Sequence, residues 1–321
     1  MPSSSLRLRA AAAATLAASL VFALPARAQK TPQGFAVERF YPSAAGGGWM
    51  VMDALDMHGG LGGAMALTSV YASSPLRVSG QAGTVDVVSS SAIVDFGVAV
   101  TYERFRLYLD LDMPLAITGD SGTLGGYAFT APGVGLGSTP DVLADPRVGF
   151  DARILGGPRS PFRLGVGAQL IVPMDVRADY DTDGTYRAML RALFAGETGR
   201  LTYAGQLGVH VRPLDDSPAP GSPHGSELLF GFAAGEVFPL AGGRSLVLGP
   251  EVFGETALSS FFGGSTTGVE ALMTARVEGT REDGPQLRVK IGTGGGLDPQ
   301  FGAPEWRAVL GFEVFGRNVL R

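Results

Sequence analysis

The chain has 321 residues, no cysteine, 25 lysines and arginines, 30 aspartates and glutamates, and a formal net charge of -5. The acidic balance argues against a nucleic-acid-binding protein, for which a basic surface is expected. The absence of cysteine excludes disulfides, thiolate metal sites and a cysteine nucleophile. Mean hydropathy is +0.20, yet after the first residues no apolar run approaches the roughly 18 residues of a membrane helix. This combination is typical of membrane strands, whose polar faces dilute their apolar faces.

The first residues have the three parts of a secretory signal peptide. Arg7 and Arg9 give the positive start, residues 10–24 are apolar, and Ala26-Arg27-Ala28 provides the small-residue cleavage motif. We expect residues 1–28 to be the signal peptide, with cleavage between Ala28 and Gln29. We expect residues 29–321 to form one β-barrel domain in the cell outer membrane, reached through this signal.

Fourteen segments after the signal have the character of strands, and short turns alternate with mostly longer loops between them. This alternation is typical of an outer-membrane barrel, with its short turns toward the periplasm. The sequence therefore predicts an all-β fold, a transmembrane antiparallel up-and-down β-barrel of about 14 strands. If residues 35–41 are only a lead-in, one other segment must also be wrong, and twelve strands is the alternative. The segments are 35–41, 49–58, 61–78, 84–103, 105–117, 147–155, 162–173, 185–195, 200–212, 227–238, 245–255, 269–279, 286–295 and 304–315.

The clearest strand pattern is FRLYLDLDMPL, residues 105–115. Because side chains alternate along a strand, Phe105, Leu107 and Leu109 share an apolar face, while Arg106 and Asp110 share a polar one. The segment is long enough to cross a bilayer, which takes about 9–11 residues of tilted strand. We expect the apolar face to meet lipid and the charged face to line the lumen.

Charged residues at lumen-facing positions are segregated by sign along the chain. Two interpretations remain open: the two walls set a field across a wet lumen that orients water and charged solutes, or they pair as buried salt bridges and close it. The basic wall is Arg147, Arg153, Arg163, Arg187, Arg191, Arg200 and Arg212, and the acidic wall is Glu227, Glu251, Glu255, Glu270 and Glu278.

The segment Asp179-Tyr180-Asp181-Thr182-Asp183-Gly184 resembles the start of a calcium loop, since oxygens at alternate positions before a glycine can wrap a hard cation. Asp179, Asp181 and Asp183 are the candidate metal ligands. The twelfth position of such a loop, normally a bidentate glutamate, is Leu190. A solvated acidic loop is the alternative.

Several short motifs resemble the barrel region of OmpA-type outer-membrane proteins. They are Phe40-Tyr41-Pro42 before Gly46-Gly47-Gly48, Asp112-Met113-Pro114, Asp145-Pro146-Arg147-Val148-Gly149 and Gly302-Ala303-Pro304-Glu305-Trp306-Arg307. The peptidoglycan-binding domain found in many such proteins is not expected here. The resemblance implies an outer-membrane barrel inserted by the barrel-assembly machinery, and the cell-wall anchoring role of those relatives is not carried over.

These observations predict a passive channel for small polar solutes, because a barrel of this size is wider than the eight-stranded kind that side chains fill. The alternative is a non-conducting structural or surface-interaction barrel of OmpA type. An outer-membrane enzyme is a distant third, since no triad or carboxylate pair converges, so we expect no catalytic residue and no cofactor. The expected partners are outer-membrane lipid, the barrel-assembly machinery and small polar solutes, but not nucleic acid.

Overall fold

The computed structural model describes residues 31–135, 143–214, 225–279, 284–298 and 302–317, and the structural statements below concern these ranges. The predicted signal peptide, with its cleavage site at Ala28 and Gln29, lies outside them. Within these ranges, no helix has both the length and the apolar character needed to cross a membrane.

Twelve strands form the wall of a closed antiparallel barrel. Each wall strand pairs with the wall strands before and after it in the chain, and β15 pairs with β1 to close the wall. The short strands β4 to β6 lie in the loop between β3 and β7, where β4 and β5 form a hairpin and β6 pairs with the end of β3. The strands are β1 (Leu61–Gly80), β2 (Gly83–Tyr102), β3 (Phe105–Thr118), β4 (Gly122–Leu124), β5 (Tyr127–Phe129), β6 (Val134–Gly135), β7 (Arg147–Leu155), β8 (Arg163–Ile171), β9 (Arg187–Thr198), β10 (Leu201–Val211), β11 (Glu227–Leu240), β12 (Arg244–Ala257), β13 (Thr267–Gly279), β14 (Pro285–Asp298) and β15 (Trp306–Arg317).

The predicted barrel is confirmed, and the strand number is that of the twelve-strand alternative rather than fourteen. Residues 35–41 and 49–58 are not wall strands. Trp49, Met50, Val51 and Met52 are consecutive and all buried, whereas a wall strand would expose every second residue. Their strand-like composition instead reflects burial on all sides.

Alternation along the wall strands places apolar side chains outside and polar ones inside. In β3, Phe105 and Leu107 are 42% and 57% exposed, whereas Arg106 and Asp110 are buried. The predicted faces of this strand are therefore correct. An apolar outer surface around a polar interior is the arrangement of a barrel that stands in lipid.

This arrangement gives a test of the lipid face on β14. Ile291 lies in the middle of the strand and points outward, so Ile291→Arg should destabilise the barrel in lipid by about 2–4 kcal/mol. Leu287 shares the same face but lies near the strand end, and Leu287→Arg should cost only about 0–1 kcal/mol. Urea unfolding from lipid vesicles measures both. Equal costs would mean that the apolar band is not centred on Ile291.

Residues 35–58, called the luminal segment below, run through the inside of the barrel. At the long-loop end the Ala36 amide donates to Asp183 Oδ1 (2.9 Å) and the Val37 amide donates to the Tyr180 carbonyl (2.9 Å). At the short-turn end Arg317 donates to the His58 carbonyl (2.5 Å). The segment therefore spans the barrel from one end to the other.

A cluster of apolar side chains packs at the long-loop end of the barrel. It joins Phe35 and Val37 to the inner faces of β1 and β2, to the β4–β5 hairpin through Leu124 and Phe129, and to Tyr180. The described parts of the long loops therefore fold over this end of the lumen instead of extending away from it.

Candidate functional site

The middle of the luminal segment is bound by one wall carboxylate. Glu251 on β12 accepts hydrogen bonds from the backbone amides of Met50 (2.8 Å), Val51 (3.0 Å) and Met52 (3.3 Å), and from the Thr274 hydroxyl (2.8 Å). A carboxylate can accept several donors at once, and three successive amides meet it because the chain turns there, between Gly48 and Asp53. Glu251 thus satisfies donors that the luminal segment cannot satisfy itself.

Ion pairs bind the luminal segment to the wall on both sides of this turn. Glu38 pairs with Arg307 on β15 (2.8 Å), and Arg39 pairs with Glu227 (3.3 Å) and Glu255 (3.1 Å). Asp53 pairs with Arg106 on β3. Buried charges need such partners, so the segment and the wall each neutralise the other.

Wall cations also bind carbonyl groups of the luminal segment. Arg153 donates to the carbonyls of Leu55 and Met57 (both 2.8 Å), and Lys290 donates to the Trp49 carbonyl (3.0 Å). These hydrogen bonds satisfy carbonyl groups of the luminal segment, whose backbone forms no sheet with the wall.

Apolar side chains of the luminal segment fill the centre of the barrel. Trp49, Met50, Met52 and Leu55 pack against small and apolar wall residues in the largest buried cluster of the described chain. Gly235 on β11 makes room for this packing, because a Cβ there would lie 2.8 Å from the Trp49 Cη2. The barrel core is therefore made jointly by wall and segment.

The structure places most of the predicted basic wall inside the barrel, close to acidic partners. The pairs are Arg147 with Asp95 (2.8 Å), Arg163 with Glu197 (3.1 Å), Arg187 with Asp145 (2.8 Å), Arg191 with Asp151 (3.3 Å), and Arg212 with Asp183 and Glu227 (both 2.7 Å). Arg153 instead binds the luminal segment, as described above. Arg200 is not in the lumen, because it lies beside a short turn with its side chain 67% exposed.

The predicted acidic wall also lies inside the barrel. Glu227, Glu251, Glu255 and Glu270 are buried, and Glu278 is largely covered and pairs with Arg276 (3.6 Å) and Arg288. Arg307 binds Glu270 (2.8 Å) as well as Glu38. Most members of the two walls therefore pair with opposite charges beside them, which is the geometry of the salt-bridge interpretation, whereas Glu251 and Arg153 bind the luminal segment instead.

Several other charged residues of the lumen were not identified from the sequence, because their ion-pair partners come from distant parts of the chain. They include Glu38, Arg39 and Asp53 on the luminal segment, and Lys290, Arg307 and Glu313 on the wall. Glu313 binds both Lys290 (2.5 Å) and Arg288 (2.7 Å). Lys290 is one of only two lysines in the chain, and this rarity was the one available signal.

A cavity of about 520 Å³ lies at the short-turn end of the lumen. Asp56, His58, Arg276, Glu278 and Arg288 are among its lining residues. Arg276 is buried, and its Nε and Nη1 donate no hydrogen bond within the described chain. This end of the lumen is thus a polar vestibule that stops at the luminal segment.

The three aspartates of the calcium-like loop have different environments. Asp183 pairs with Arg212; burial would raise its pKa, but Arg212 and Arg187 bring the pKa below its usual range. Asp179 Oδ1 accepts the Gly133 amide (3.2 Å). Burial, together with the neighbouring Asp175 carboxyl group, raises the pKa of Asp181 to about 9. The three carboxylates therefore do not share one set of partners.

His210, Glu227 and Glu255 place possible metal-binding atoms within 4.8 Å of one another. The His210 Nδ1 lies 3.2 Å from Glu255 Oε2. Arg39 and Arg212 already pair with these glutamates, so a divalent cation would meet two positive charges. The group is better explained as an ion-pair network.

No family model and no curated protein matches the chain. Among solved structures, the COG4313 outer membrane channel from Pseudomonas putida F1 is 13% identical, with a TM-score of 0.48, over 80% of this chain and 95% of that one. The anion-selective porin from Comamonas acidovorans is 10% identical, with a TM-score of 0.32, over 80% and 98%. OpdK from Pseudomonas aeruginosa is 10% identical, with a TM-score of 0.29, over 80% and 98%. At identities of 10–13% and TM-scores below 0.5, these likenesses do not show what this chain binds or transports.

Proposed function

We propose that the chain is an outer-membrane channel for small polar solutes, closed by its own luminal segment. The observation that carries this proposal is that residues 35–58 fill the lumen without hydrogen-bonding into the sheet as a strand. The twelve-stranded wall closes through β1 and β15 without them. A segment that is not part of the wall can leave the lumen while the wall stays closed.

The chemistry of the inner wall supports an aqueous lumen in the open state. Arg106, Glu251, Lys290 and Arg307 contact the luminal segment from the wall. If the segment left, water would solvate these charged groups, while the apolar wall residues that now pack against Trp49 and Met52 would become exposed. A twelve-stranded barrel is also wider than the eight-stranded barrels that side chains alone fill.

The second candidate is a non-conducting structural or surface-interaction barrel, which the resemblance to the barrel region of OmpA-type proteins would imply. The filled lumen favours it, because a permanently bound luminal segment would act as a core. Neither candidate includes an enzymatic activity or a cofactor. Both require export through the signal peptide, outer-membrane lipid and the barrel-assembly machinery.

A disulfide between segment and wall separates the two candidates. A Cβ built on Gly97 of β2 would lie 3.6 Å from the Ala45 Cβ, within the about 3.5–4.5 Å that a disulfide needs. The parent chain has no cysteine, so the Ala45→Cys/Gly97→Cys variant can form only this one intramolecular disulfide. The end of the Asp110 side chain, 2.7 Å from that Cβ, must turn aside. We expect sugar flux into liposomes from the reduced variant, and loss of that flux on oxidation.

The two single-cysteine variants and the cysteine-free parent are the controls, and their flux should not respond to oxidant. Flux that persists in the oxidised double variant would show that the luminal segment is not the gate. Absence of flux in the reduced variant and in the parent, with the barrel folded, would favour the non-conducting candidate.

A further inference from the structure

An acidic cavity of about 40 Å³ lies between the luminal segment and the long-loop end of the wall. Five carboxylates and two guanidinium groups are among its lining residues, so negative charge is in excess. The carboxylates are Glu38, Asp95, Asp112, Asp145 and Asp181, and the guanidinium groups belong to Arg147 and Arg187. The volume is enough for an ion or a few water-sized groups.

Asp181 lines this cavity and accepts no hydrogen bond from the described residues. Its residue is 8% exposed, and both carboxylate oxygens are buried without a hydrogen bond from any described residue. The Asp175 carboxyl group is its hydrogen-bonding neighbour, and Asp175 Oδ2 is also buried without a donor. Two carboxyl groups thus face each other without a cation from the described residues paired to either.

The nearby cations are already committed to other carboxylates. Arg187 binds Asp145 (2.8 Å), which also accepts the Thr182 hydroxyl (2.8 Å). Arg147 binds Asp95 (2.8 Å). Burying two neighbouring carboxylates without a cation is costly, so the pair of Asp181 and Asp175 holds either a shared proton or a positive charge from outside the chain.

We propose that Asp181 and Asp175 bind a hard divalent cation, Ca²⁺, at the long-loop end of the barrel. Calcium takes carboxylate and carbonyl oxygens in flexible geometry, which suits two carboxylates on an irregular loop. The ligand set differs from the alternate positions Asp179, Asp181 and Asp183 of the sequence motif. Asp183 is excluded because Arg212 holds both of its oxygens (2.7 Å each).

The loop that carries Asp181 also holds the beginning of the luminal segment. The Tyr180 carbonyl and the Asp183 carboxylate, on either side of Asp181, accept the Val37 and Ala36 amides. A bound cation would therefore order the loop to which the segment is attached. The cation site itself does not depend on whether the barrel conducts.

Isothermal titration of the purified full barrel in detergent with CaCl₂ tests this site. We expect one calcium site in the parent and at least about tenfold weaker binding in Asp181→Asn, since even outer contacts of metal ligands change affinity about 10–100-fold. Asp179→Asn is the matched control, because its carboxylate lies on the same loop but accepts the Gly133 amide. Its calcium affinity should stay close to that of the parent.

Absence of calcium binding in the parent would overturn the proposal. Loss of binding in Asp179→Asn with binding kept in Asp181→Asn would also overturn it, because Asp179 and not Asp181 would then be the ligand. If Asp181→Asn fails to show the heat-modifiable mobility of a folded barrel, Asp175→Asn replaces it, with the same expected loss. Titration with MgCl₂ should show weaker binding, because magnesium demands stricter geometry than this loop offers.

Discussion

Deleting residues 35–56 should turn a closed barrel into one that conducts steadily in planar bilayers. The deletion removes the groups that fill the centre of the lumen, among them Trp49, Met52 and Leu55, and leaves the β1–β15 closure intact. The wall charges released by the deletion would be solvated by water in the open lumen. Conductance should rise from rare or absent openings to a continuous open level.

Stability should fall in the same variant, because each large apolar side chain removed from the core contributes about 1.5–3 kcal/mol. A variant with residues 35–56 replaced by a Gly/Ser chain of equal length is the control, and it should also conduct, because such a chain makes none of the specific contacts. Heat-modifiable mobility on gels identifies folded protein. A folded deletion variant that passes no current would remove the channel proposal.

Replacing Glu251 by alanine should open the channel without shortening the chain. Three backbone amides and the Thr274 hydroxyl lose their acceptor, and each buried donor left unsatisfied costs about 1–3 kcal/mol. The released segment recovers hydrogen bonds from water, so the closed state alone is destabilised. Since about 1.4 kcal/mol is a tenfold change in an equilibrium constant, a loss of about 3 kcal/mol makes openings roughly 100-fold more frequent.

Single-channel recording of Glu251→Ala beside Glu236→Ala measures this effect. Glu236 lies on the neighbouring β11, is half exposed and pairs with Arg200 at 3.6 Å, and a surface pair of this kind contributes about 0–1 kcal/mol. Its removal should leave the opening frequency near that of the parent. Glu251→Gln keeps one carbonyl acceptor and should fall between the two. Equal opening frequencies in all variants would show that Glu251 does not hold the gate.

The wall could be predicted from the sequence because its signal is local. Alternation along residues 105–115 identifies the inward and outward faces of β3, and the twelve segments from residue 61 onward correspond to the twelve wall strands. Residues 35–58 could not be separated from strands in this way. A short apolar run such as Trp49 to Met52 has the same composition whether it lies in a sheet or is buried among the strands of a barrel.

The lumen charges were predictable as positions but not as pairs. Inward placement follows from the period of two within each strand, which is why Arg147 and Glu251 are found inside. The predicted lumen position of Arg200 is wrong because this residue lies beside the turn between β9 and β10, where the alternation of the strand ends. Pairs such as Glu38 with Arg307 join residues at opposite ends of the chain, and no local pattern carries that information.

The order in which the molecule can assemble follows from where its luminal segment finds partners. Glu38 binds Arg307 across 269 positions of sequence, and Trp49 binds Lys290 across 241, so these bonds form only after the last strands exist. The β1–β15 seam also joins the two ends of the wall. The luminal segment must therefore wait, without its final partners, until the last strand arrives, and the seam must close around it. Contacts so distant in sequence are slow to form, which makes the closing of the seam the expected rate-limiting step of folding.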